Sequence, residues 1–348
     1  MPTLSVVKVD FIKASKWIGI ALAILIAIFL LIKGLFFIKE LIWPTPPPPP
    51  TVTFGKLPKP YFPEGIKKDF KYTIDTLSGE LPKLPDRTNV YEMGKSEPDI
   101  LAVQRMTEKA VSLGFNPETE QLSETVYRWR STSEKPSRVL VVNVLLAEFN
   151  LSSDFLSNKD LLSETGALGE ADAINTAKGF LNTLSLFPSD LDELKTKTKL
   201  LKLENGSLIE VEKPKDAKII NIYFFQKDIN ELPVVYPIGG GSSIQLTVAG
   251  GRFNNEVIDG RYFYQNITEE SGTYPIISAE TAFEQLKKGN VFIASHEGQD
   301  LNIVIKKVYL AYYASGRSQD FLTPVVVFEG KNNFAAYVPA VTPEWIGN

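Results

Sequence analysis

The sequence predicts an α+β protein: an N-terminal transmembrane helix, a proline-rich stalk, then tandem small units of a helix packed on an antiparallel sheet. Three observations predict it. An apolar run lies near the N-terminus, a proline run follows it, and the remaining chain holds three segments of helical period, each followed by runs that alternate with period two.

The first element is the anchor. Trp17 to Ile32 reads WIGIALAILIAIFLLI without a charge, and after Lys33 and Gly34 the apolar character resumes from Leu35 to Ile38. At about 1.5 Å per residue the first run is short for a hydrocarbon core of roughly 30 Å, and the second makes up the length. Lys33 then has to lay its stem along the helix and carry its ammonium to the headgroups. Trp17 and Trp43 bracket the span as interfacial anchors. A cleaved signal peptide has an apolar region of roughly 7 to 15 residues and a small-residue cleavage site, whereas bulky KGLFFIKELIW follows here. Lys8, Lys13 and Lys16 precede the span with one acid, Asp10, and Lys33, Lys39 and Glu40 follow its first run. That slight bias assigns residues 1–16 to a cytoplasmic tail, 17–43 to the anchor in the lipid bilayer and the rest to the extracytoplasmic side of a cell membrane.

Residues 44–66 form the predicted linker. Pro44 and Pro46 to Pro50 have fixed φ and no amide donor, so the segment is expected as polyproline II, a semi-rigid spacer rising about 3.1 Å per residue. The same run could instead be a ligand for an aromatic-lined groove.

Composition bounds the remainder. The chain has 348 residues, no cysteine and one histidine, which excludes disulfides, thiolate nucleophiles and cysteine-ligated zinc. Residues 1–43 hold five lysines and two acids, leaving 32 basic against 39 acidic side chains downstream. A net acidic ectodomain gives no reason to propose nucleic acid as a partner.

Three α+β units are expected, at 67–160, 161–273 and 274–348. In the first, Ser96 and Asp99 cap a helix that Gly114 closes, with Ile100, Val103, Ala110 and Leu113 on one face and Met106 at its edge. In the second, Ile174, Ala177, Leu181 and Leu184 share a face and Pro188 lies beyond the end. In the third, Ser278 caps, Ala282, Phe283 and Leu286 face inward, and Gly289 ends the helix. DFKYTID puts Phe70, Tyr72 and Ile74 on one side of a strand, and ETVYRWRST and RVLVVNVLLAEF flank a turn at 132–137 as a hairpin would.

The third unit carries the most specific pattern. YPIISAETAFEQLKKGN, then IVIKKVYLAYYAS with its paired Tyr312 and Tyr313, then FLTPVVVFEG with Pro324 and Val325, and finally AAYVPAV, resembles the PepSY-like extracytoplasmic modules. These include membrane-anchored regulators of the YycI type that act on sensor kinases. The match covers residues 274–341, with a looser echo over 68–265. The proline stalk is not part of that pattern, and no partner-binding residue carries over. The resemblance implies a single-pass bacterial envelope protein that regulates or contacts another protein, without catalysis.

Catalytic signals fail in turn. GGGSS at 239–243 looks like a phosphate-cradling loop but leads into Ile244, Leu246 and Val248, which alternate as a strand, so a hairpin loop is expected. His296 stands in ASHEGQD with no second histidine or cysteine to share a metal. Glu269 and Glu270 read as solvated. The sequence thus gives no catalytic, cofactor-binding or metal residue and is not read as an enzyme. Two classes remain: an anchored binding or regulatory protein, partnered by another membrane or envelope protein such as a sensor kinase or protease, and a structural envelope protein gripping wall polymer or a surface assembly. The second needs an exposed aromatic row, for which Tyr262 and Tyr264 in RYFYQN are the candidate surface, with core packing as the alternative.

Overall fold

The structure is a computed structural model describing residues 17, 22–35, 39, 48–133, 136–157, 168–204, 206–250 and 255–347. The chain divides into two compact units, Met1–Pro49 and Pro50–Asn348. In the first, residues 22–35 are helical with exposed apolar side chains, and Lys33 Nζ sits 5.2 Å from the centre of the Phe29 ring. Trp17 is helical and exposed, Ile32 and Lys33 lie within 22–35, and Trp43 lies outside the described residues. Among the described residues no helix is long and apolar enough to cross a membrane.

The second unit is mixed α+β, dominated by two sheets and carrying few helices. Sheet I has nine strands, all pairs antiparallel. It comprises β3 (Phe115–Gln121), β4 (Val126–Ser131), β5 (Arg138–Asn143), β6 (Glu148–Ser153), β7 (Leu191–Glu204), β8 (Ser207–Glu210), β9 (Ile219–Gln226), β11 (Ile244–Ala249) and β12 (Glu256–Tyr262). Their order is β3-β4-β5-β6-β12-β11-β9-β7-β8. The expected hairpin is β4–β5, with Trp129 opposite Leu140. Helices α1 (Ala102–Ser112) and α2 (Glu170–Thr183) pack on this sheet over a core that includes Trp129, Leu140, Phe149, Phe180, Ile222 and Leu246.

Sheet II has eight strands: β1 (Lys71–Ile74), β2 (Arg87–Met93), β10 (Val234–Val235), β13 (Ile267–Pro275), β14 (Phe292–Ser295), β15 (Asn302–Tyr313), β16 (Phe321–Gly330) and β17 (Phe334–Pro339). It is mixed. β1 and β10 both run parallel to β15, Lys71 facing Asn302 and Val234 facing Tyr312. Residues 322–328 of β16 are all buried, as a strand covered on both faces requires. Pro324 sits where β16 passes from pairing with β2 at Phe321 and Leu322 to pairing with β17 from Val325 onward, a position where a missing amide costs no ladder bond. Helix α3 (Ala279–Lys287) covers one face, with Leu286 1% exposed against Val326, Phe328 and Leu310. Ser278 Oγ accepts from the Thr281 amide at 3.2 Å, so the cap read from the sequence is present.

Several expectations change. The strands do not pair as three successive units: β1 and β2, read into the first unit, join sheet II, while β3–β6 share sheet I with β7–β9, β11 and β12. Period-two alternation says that one face of a strand is buried, not which strand it pairs with. Helix α1 starts at Ala102, because Asp99 caps a turn ahead of it, accepting from the Leu101 amide at 3.0 Å and pairing with Arg105 at 2.8 Å. Ile100 is therefore 99% exposed, and Met106 and Ala110 carry the buried face. Phe283 is half-buried, its ring 6.1 Å from Phe328 and capped by Lys287, so Leu286 carries the burial expected of both. GGGSS is no hairpin loop, since it leads from β10 in sheet II to β11 in sheet I.

Candidate binding groove

The described part of the predicted linker is not a free spacer from Thr51 onward. The Val52 amide donates to Thr273 O, the Tyr274 hydroxyl donates to Gly55 O and accepts from the Phe54 amide, and Leu57 is fully buried between Trp345 and Gly347. Residues 59–69 then cross the outer edge of β14, the last strand of sheet II, where the Ile66 amide donates to Ile293 O. Gly65 makes the crossing possible: a Cβ there would come within 3.0 Å of the Phe292 ring and 3.2 Å of Ile293 O. Phe62 stacks on Phe292 at 5.1 Å and meets Tyr313 at 4.7 Å, which pins the strap to the far face of the sheet.

Between this strap, α3 and the C-terminal residues lies a groove of about 1220 Å³. Its floor is apolar, from Val338, Ile346, Ile277 and Phe292, while Thr281 and Gln285 project from α3. Lys59, Glu64, Lys67, Lys68 and Asp69 line the strap side. Lys67 and Glu64 pair at 3.5 Å in full solvent, a contact of little energetic weight. Tyr72 lines the groove, and burial pushes its pKa up to about 12, so it stays a neutral hydrogen-bonding phenol at physiological pH. Pockets for small molecules run to about 300–1,000 Å³. The groove exceeds that range.

His296 lies outside the groove lining, with Nε2 2.9 Å from Asp300 O and the ring packed edge-on against Phe70 and Phe334. Among the described residues no group of three or more histidine or acidic side chains could hold a metal ion. The aromatic row proposed as an interaction surface is corrected: Tyr262 is 3% exposed and stacks on Phe149 at 5.5 Å, and Tyr264 donates to Asp190 Oδ1 at 2.9 Å. Tyr262 packs inward through its ring, and the Tyr264 hydroxyl finds its partner in Asp190. Trp17, Ile32 and Lys33, expected as anchor residues, belong to the other unit.

The sequence reading missed the groove because its strap was taken for a linker. The signal was present in Leu57, Tyr61 and Phe62, large apolar residues that a solvated spacer has no reason to carry.

No protein-family model matches the chain, and no curated protein matches it. Two solved structures show a distant likeness. An uncharacterised protein from Eubacterium rectale ATCC 33656 is 12% identical, with 74% of this chain and 79% of that one covered and a TM-score of 0.34. The YpeB C-terminal domain of Bacillus megaterium is 12% identical, with 72% and 95% covered and a TM-score of 0.32. Likeness at that level carries no argument about function.

Proposed function

We infer that the protein is a single-pass, membrane-anchored binding or regulatory protein of the cell envelope, engaging an extended segment of another membrane or envelope protein. The observation that carries this reading is the groove of about 1220 Å³ between the strap, α3 and the C-terminus, larger than a metabolite needs. The apolar run from Trp17 and the PepSY-like pattern over residues 274–341 support it. The wall-polymer alternative loses its candidate surface with the burial of Tyr262.

A photo-reactive amino acid placed at Gln285 in the full chain, in native membranes, tests this. The expected result is one discrete protein adduct that fails to form from the same probe at exposed Glu118 on sheet I. Equal adducts at both positions, or only polysaccharide at Gln285, would overturn it.

A further inference from the structure

A second cavity, of about 230 Å³, lies where the two sheets meet, lined by Arg261 of β12, Arg317 from the turn after β15, and the serines of GGGSS. Two guanidiniums reach it, and no acidic side chain lines it. Arg261 is half-buried and Arg317 exposed, and neither makes an ion pair with a carboxylate among the described residues. Asp259, two residues from Arg261, is itself buried enough that its pKa is raised, with the Arg261 charge only partly offsetting this. Glu148 lines the smaller crevice alongside and pairs with neither guanidinium.

The walls are fixed. Ser242 Oγ donates to Phe224 O and accepts from the Ile244 amide, and the Phe263 amide donates to Ser243 O. The turn carrying Arg317 is held by Gln319, whose Oε1 accepts from the Ser315 amide at 2.9 Å, and by Ser315 Oγ, which donates to Arg317 O at 3.1 Å. Arg317 stacks flat on the Tyr61 ring, 3.3 Å from its centre, which orients the fork without neutralising it. Like charges brought to one cavity from a strand and a turn repel unless an anion lies between them, and planar guanidiniums match oxyanion geometry.

The geometry points to an oxyanion site, in which Arg261 and Arg317 take a phosphate group, free or esterified to a small alcohol. GGGSS contributes as a wall, not as the helix-opening loop its composition suggests. The site and the groove share the strap, with Tyr61 and Pro63 lining the cavity, and phosphate binding reads the site separately from the protein adduct that tests the groove.

Calorimetric titration of the full chain in mild detergent tests it, with inorganic phosphate and glycerol 3-phosphate as probes and sodium chloride at matched ionic strength as control. Saturable binding is expected, weakened at least tenfold by Arg317→Gln and less by Arg317→Lys, which keeps the charge but loses the fork. Tighter binding of glycerol 3-phosphate identifies an esterified phosphate, such as a lipid or polymer headgroup, and equal binding identifies the free ion. No heat beyond the chloride control, or equal affinity in Arg317→Gln, overturns the proposal. Arg317 is exposed and its side chain makes no hydrogen bond in the described structure, so its variants keep the fold and the test stays decisive even if Arg261→Gln does not.

Discussion

Sheets I and II bury comparable cores, yet they are built in opposite ways. Sheet I takes its strands from residues 115–262, every pair is antiparallel, and β3 to β6 follow one another as neighbours. Sheet II draws on residues 71 to 339 and hangs two parallel strands on β15, so its pairing joins chain segments that are far apart in sequence. Local pairing costs little loop-closure entropy, and non-local pairing must be repaid by packing. The packing is there: β16 and β17 are buried over most of their length, and β15 is buried from Leu310 to Tyr313. The region assembled from distant pieces is also the one that leaves a groove between them.

The largest effects that could break this comparison lie in the two cores. Trp129, fully buried with Nε1 donating to Thr107 on α1, and Phe328, fully buried under α3, should each cost about 3–5 kcal/mol when changed to Ala. Equal losses by denaturant titration support two cores of equal weight. A silent Phe328→Ala would make sheet II an accessory of sheet I.

Next comes the strap. Leu57→Ala should cost about 2–5 kcal/mol, because the side chain is fully buried against the C-terminal segment. A free stalk would lose nothing, so a thermal melt separates the two descriptions.

Arg138 follows. It is 5% exposed, pairs with Glu256 at 2.9 Å, and donates to Leu113 O at the end of α1 and to Val257 O on β12. Burial lowers its pKa, the Glu256 charge opposes this, and it remains a cation. Arg138→Met gives up two hydrogen bonds from a charged donor, each worth about 1.5–3 kcal/mol by the usual scale. Lys288→Ala, exposed at the end of α3, should move stability by no more than about 0.3–1 kcal/mol.

The smallest effect is one of pH. Burial raises the Glu148 carboxyl above its ordinary range, so the folded state holds that proton more tightly than the unfolded chain. Its contribution therefore favours folding below the unfolded pKa of about 4.3 and is lost as pH rises through the folded value. Glu148→Gln should be more stable than the parent at neutral pH, with the gap closing in acid. A gap that widens in acid would mean an unseen cation holds the carboxylate.

Sheet I was the legible half. Alternation and the turn at 132–137 place β4 against β5, and the face of Ala177 and Leu181 on α2 is the buried one. For sheet II the elements were legible but their partners were not. Tyr72 and Ile74 declare a buried face, while nothing local says that β1 lies parallel to β15. Arg138 was invisible because an arginine in a strand reads as solvated until a helix end is found above it. The groove was hidden behind proline, whose presence among Leu57, Phe62 and Gly65 marks a fixed extended path as readily as a spacer.

Hydrogen exchange at the strap in the full chain tests the central claim most directly, because the groove exists only if residues 51–66 are docked. The Leu57 amide donates to Trp345 O at 2.8 Å and the Ile66 amide to Ile293 O at 3.3 Å. Both should be protected, Leu57 as strongly as the amides of β17 and Ile66 more weakly. Exchange of both at the rate of an unstructured peptide would restore the free stalk and remove the groove.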